Sequence, residues 1–149
     1  MKGLPNIESV ASLRDKGLVQ VADYVAQLGH GLSHDLSFIL HKNTGLPIVT
    51  FSEDLGINVH SGVYITDEIV FDAYGFCTVD EVKDRYSSLI TRSEFVVEKV
   101  SGADLKNWSV SNAAYIEILE VYSLVMDYLG VTFTSIRDIS EILSGVECE

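Results

Sequence analysis

The stretch NVHSGVYITDEIVFDAYG, residues 58–75, decides how this chain is read. It is rich in β-branched and aromatic side chains on both sides of a two-residue break at Thr66-Asp67. That pattern predicts two strands, over 57–65 and 68–74, joined as an antiparallel hairpin. With the turn centred on 66–67, His60 falls beside Asp72 on the neighbouring strand. Adjacent strands lie about 4.7–4.9 Å apart, so an imidazole can reach a carboxylate that shares its face. A carboxylate in that place holds the ring in one tautomer and supports its protonated form. The hairpin therefore raises the question whether it carries two members of a catalytic triad and, if so, where the nucleophile is.

Upstream, SHDLSFILHKNTG (33–45) reads as a helix with Ser33 as N-cap, Asp35 in the first turn and the apolar face Leu36, Phe38, Ile39, Leu40. LPIVTF (46–51) follows as a strand. Before them, 7–31 reads as one or two helices, with Leu18, Val21, Ala22, Val25 and Leu28 at helical spacing and Gly29 as the stop. Downstream, Thr78 with Glu81 forms a capping box that opens a helix over 78–90, and 94–100 is a further strand. The longest helix, 111–130, ends at Gly130 and has apolar residues on more than one face, Tyr115, Tyr122 and Tyr128 among them. Such a helix is either central or shares a face with another copy, most simply in a twofold homodimer through residues 112–129. A short helix capped by Ser135 closes the chain. The order of elements predicts an α+β fold: a small antiparallel sheet of about four strands packed with helices, in one domain. Residues 1–29 form its N-terminal helical part, 30–100 the α+β core and 101–149 the C-terminal helices.

Composition narrows the function classes. A chain of 149 residues fits one domain and buries roughly 68–70% of its unfolded surface. An apolar fraction of 47% with 2 prolines excludes a disordered chain. The 22 acidic residues against 10 basic ones give a net charge of −12, which repels phosphate backbones and argues against direct nucleic-acid binding. No stretch reaches 18 consecutive apolar residues and MKGLPNIESV has no signal-peptide pattern, so the expectation is a cytoplasmic protein with no membrane contact. In such a reducing compartment Cys77 and Cys148 are not expected to pair. The acids are scattered, which suits solubility in general; Glu53, Asp54, Asp80, Glu81 and Asp84 are the clustered ones, and they suit a basic partner.

Three further side-chain sets bear on chemistry. Serine is common at helix N-caps, so Ser33 has a structural reading beside its reading as a nucleophile. Cys77, between a strand end and a helix start, is a second conceivable nucleophile, although a half-buried cysteine is more often a small apolar residue. His30, His34 and His41 fall on one side of a continuous helix, but Gly29 and Gly31 take His30 out of it. His34 and His41 then stand about 10 Å apart along the axis, too far to share a metal with ligand bonds of about 2 Å. No metal and no cofactor is expected.

Over roughly residues 30–86 the chain resembles the papain-like and transglutaminase-like superfamily, as seen in small phage- or plasmid-borne proteins. The resemblance rests on SHDLSF, NTGLPIVTF, VHSGVYI and FDAYG in that order. In that superfamily a cysteine opens the helix, a histidine follows on a second strand and an Asp or Asn on the third. The resemblance thus implies a site of residue 33, His60 and Asp72, with His34 lining it, in the cytoplasm of a bacterial host. Here residue 33 is serine. A thiol gains thiolate character at a helix N-terminus; a hydroxyl needs a placed base and an oxyanion hole. The expectation is therefore a degenerate triad in a non-enzymatic interaction protein. Such a protein would be an anti-defence inhibitor of a mobile element, anti-CRISPR-like, occupying a host protein that has a basic nucleic-acid-binding groove. The alternative is a small hydrolase or acyl-transfer enzyme using Ser33 or Cys77 with His60 and Asp72.

Overall fold

The computed structural model describes residues 4–30, 32–53, 58–89, 95–104 and 115–145. The N-terminal segment forms two helices, α1 (Val10–Asp15) and α2 (Val19–His30), parted by a turn at Lys16 and Gly17. Contrary to the expected stop, α2 runs through Gly29. The glycine is there because a Cβ would lie 2.9 Å from Tyr74 Cε2 and 3.2 Å from the Tyr86 hydroxyl. Helix α3 (Ser33–Thr44) follows, and its N-cap is Leu32, with no side-chain cap bond. Ser33 is the first helical residue and not the cap. The helix ends as the sequence predicts, at Gly45 in the left-handed region.

Among the described residues the sheet has five strands: β1 (Ile48–Glu53), β2 (Asn58–Thr66), β3 (Ile69–Asp72), β4 (Gly75–Thr78) and, after α4 (Val79–Tyr86), β5 (Phe95–Val100). All pairings are antiparallel, in the order β4-β3-β2-β1-β5. The predicted hairpin is β2–β3, with Val63 opposite Phe71 and a register shift between Tyr64 and Thr66. Strand β4 is additional: the chain turns back at Ala73-Tyr74 and pairs Val70 with Cys77 and Phe71 with Phe76. The capping box of α4 is present as predicted, Thr78 with Glu81.

Two C-terminal helices complete the fold, α5 (Tyr115–Leu129) and α6 (Phe133–Leu143). The cap of α6 is Thr132, and Ser135 is its N3 partner, not the cap itself. The Thr132 hydroxyl accepts from the Ser135 amide at 3.1 Å and the Ser135 hydroxyl accepts from the Thr132 amide at 2.7 Å. Helices α3 and α6 pack on the sheet face that carries Ser61, Val63 and Phe71, α5 reaches it through Tyr122, and α2 packs on α3 and α5. Helix α4 lies against β3 and β4. Along α3, even Ser33, Asp35 and Ser37 are buried. Helix α5 places Ile118, Tyr122, Val125, Met126 and Leu129 in this core. Of its described large apolar side chains Leu124 and Tyr128 are exposed, at 43% and 40%. Residues 112–114 of the expected dimer face lie outside the described residues. Among the described residues no helix is long and apolar enough to cross a membrane.

Candidate functional site

His60 donates from Nε2 to Asp72 Oδ2 at 2.7 Å, as the hairpin predicts. The register continued from Val63 and Phe71 sets Gly62 across from Asp72, so the imidazole, two residues along β2, reaches the carboxylate on a diagonal. The position between them has no room for a side chain: a Cβ on Gly62 would stand 2.6 Å from Val70 Cγ1 and 2.9 Å from the Phe71 carbonyl oxygen. Asp72 is fixed further, because its Oδ1 accepts from the Tyr74 amide at 2.8 Å and its carbonyl accepts from the Tyr122 hydroxyl at 2.9 Å. Both members of the pair are sealed, with relative exposures of 0% for His60 and 1% for Asp72.

Tyr86, the last residue of α4, closes the ring from one side. Its ring stacks on the imidazole with centroids 4.1 Å apart and planes 19° from parallel. Its hydroxyl donates to the Gly29 carbonyl at 2.6 Å, tying α4 to the end of α2. Burial, with Asp72 next, pushes the Tyr86 phenol far above its ordinary range, so it stays a neutral donor. Phe51 stands on β1 with its centroid 6.1 Å from that of His60. Among the described residues His60 Nδ1 has no hydrogen-bond partner.

On the opposite face of β2 the neighbouring residue, Ser61, ties α3 to the sheet. Its hydroxyl lies 3.1 Å from the Ser33 carbonyl, 2.9 Å from Ser37 Oγ and 2.7 Å from His34 Nδ1. Ser37 donates in turn to the Ser33 carbonyl at 2.8 Å. The first turn of α3 thus packs over Ser61, on the sheet face opposite the one that carries His60. Burial, and then the proximity of His60, push the His34 imidazole down to about 4.

The remaining sequence candidates part company. Cys77 is buried at 2% on β4, its sulfur accepts from Arg85 Nη1 at 3.6 Å, and burial followed by Asp72 pushes its thiol up to about 12. A thiol held protonated and buried is a poor nucleophile, which weighs against Cys77. Glu53 is buried at the end of β1, opposite Phe95, and is therefore not a surface acid; Asp54 lies outside the described residues. Asp80, Glu81 and Asp84 are exposed on α4, with the Glu81 carboxylate engaged in the capping box. His41 Nδ1 bonds the Leu46 carbonyl oxygen at 2.8 Å, away from His34. Among the described residues no three His, Cys, Asp or Glu side chains gather as a metal site.

Tyr86 and Ser61 are not singled out in the sequence, and Gly29 is read there only as a helix stop. Only the glycine carried a signal, a helix-weakening residue inside an apolar helical pattern. Chemically, a carboxylate-held imidazole is the arrangement of a general base. Here, however, its open nitrogen is enclosed, and residue 33 offers a hydroxyl. Compared with protein-family models, with curated proteins and with solved structures, the chain matches none.

Proposed function

We propose that this chain is a non-enzymatic interaction protein on a degenerate papain-like core, which acts by occupying a host protein. The observation that carries the reading is the sealing of the dyad. With His60 and Asp72 at 0% and 1% exposure and Tyr86 stacked on the ring, a substrate has no access to the base. The pair then serves the fold, joining β2 to β3. The net charge of −12 and the exposed Asp80, Glu81 and Asp84 favour a basic partner, such as a protein with a nucleic-acid-binding groove. An anti-defence role in a bacterial cytoplasm, of the anti-CRISPR kind, fits that chemistry.

A second reading, a small hydrolase or acyl-transfer enzyme based on Ser33, is favoured by one observation. His60 Nδ1 is buried without a partner among the described residues, which is where a nucleophile's proton would go. The two readings separate in a phage-plating assay on a host that carries a CRISPR nuclease. Ser33→Ala should leave the protective effect intact, whereas the double charge reversal Asp80→Lys and Asp84→Lys should weaken it, more so at low salt in a binding assay. Loss of the effect in Ser33→Ala with a native circular dichroism spectrum would overturn the interaction reading.

A further inference from the structure

We infer that the groove between α4 and β5 is the docking site for a basic segment of the partner protein, with an arginine or lysine side chain laid on Tyr64. This rests on the interaction reading and adds where contact is made. By strand alternation Tyr64 shares the sheet face of His60. The helices α3 and α6 cover the other face, and α4 lies over β3 and β4. Between α4 and β5 this leaves a hollow that has half-buried Tyr64 and Val97 as apolar walls and Asp67, Glu68 and Asp80 with Lys83 among its polar ones.

The ring of Tyr64 already faces a cation: Lys99 Nζ stands 5.6 Å from its centroid. A second hollow, on the Lys99 side of the same ring, shares Asp67 with the first. An aromatic face open to a cation, with exposed carboxylates at its edge, is complementary to a guanidinium, which can stack on the ring and bond a carboxylate at once. Three carboxylates outnumber Lys83 and the Lys99 over the ring by one, on a chain that is acidic overall. A phosphate backbone would be repelled, so the occupant is a protein segment.

The probe is the blocked peptide Gly-Arg-Gly-Arg-Gly, titrated into the full chain at low and at high salt, with Gly-Glu-Gly-Glu-Gly beside it. The pair Asp67→Asn and Asp80→Asn, and separately Tyr64→Leu, should each weaken arginine-peptide binding about five-fold or more, while Glu117→Gln with Asp127→Asn on α5 should change it less than about two-fold. Equal weakening by the groove pair and the α5 pair would overturn the proposal, because bulk charge alone would then explain binding. Binding that Tyr64→Leu leaves unchanged, in a variant whose spectrum is native, would overturn it as well. If the peptide ignores the groove while Ser33→Ala still protects phage, the groove is lost and the interaction reading stands.

Discussion

His60 and Ser61 are consecutive on β2 and point to opposite faces of the sheet, and the two faces handle polar groups differently. The Ser61 hydroxyl lies within hydrogen-bond distance of Ser33, Ser37 and His34, so the polar cluster under α3 is well satisfied. His60 has one charge-assisted bond and one ring stack, and it keeps a buried nitrogen with no partner among the described residues. A rotatable hydroxyl adapts to whichever neighbour packing supplies, whereas an imidazole fixed at Nε2 has no choice about where Nδ1 points. A buried unsatisfied polar atom costs about 1–3 kcal/mol. The Ser61 side is construction that holds a helix to a sheet; the His60 side has the form of a catalytic pair held closed.

The largest expected effect tests that contrast directly. His60→Ala leaves the buried Asp72 carboxylate with the Tyr74 amide but without its imidazole donor, so it should lower stability by about 3–5 kcal/mol. Ser61→Ala should cost only about 1–2 kcal/mol, because Ser37 still donates to the Ser33 carbonyl. Urea unfolding of both variants decides; a Ser61→Ala cost equal to or above that of His60→Ala would break the comparison.

Next in size is the acid response of His34. Its folded-state value of about 4 lies below the unfolded value of 6.5, so the unfolded chain binds the proton first as pH falls. Stability from this group is whole above about 6.5 and is lost progressively towards 4. With the residue partly solvent-exposed, the loss is on the order of 2 kcal/mol. His34→Asn, which keeps a polar atom near Ser61, should flatten that part of the stability curve. An unchanged slope between pH 6.5 and 4 would place the titration elsewhere.

Two smaller effects sharpen the account of the site. Tyr86→Phe keeps the stack and removes the bond to the Gly29 carbonyl, and should cost about 1 kcal/mol in thermal unfolding. Ser33→Ala should cost less than about 1 kcal/mol, because Leu32 and not Ser33 holds the cap position of α3. A cost near 2 kcal/mol would show Ser33 to be held in a network after all.

Much of the architecture was legible where the signal is local. The hairpin showed as alternation around Thr66-Asp67, the start of α4 as Thr78 with Glu81, and the His60–Asp72 contact followed from the turn position. The failures share a cause in tertiary contact. Strand β4 is four residues, GFCT, reached by a reversal at Ala73-Tyr74 without a strong turn dipeptide, so only its pairing with β3 defines it. Gly29 looked like a stop because its real reason, the rings of Tyr74 and Tyr86, is remote in sequence. Ser33 and Ser135 suited a cap by residue type, yet backbone geometry chose Leu32 and Thr132. Glu53 looked like a surface acid, but β1 is an interior strand between β2 and β5 and buries its end. Tyr86 had no sequence mark at all, and it is the residue that seals the site.

We propose that the His60–Asp72 dyad is closed and that Ser33 does not act as a nucleophile. The direct test is incubation of the folded protein with a fluorophosphonate at neutral pH, read by intact mass and peptide mapping. The expected result is an unmodified chain. A single phosphonyl adduct on Ser33 that disappears in His60→Gln, with that variant folded, would contradict it.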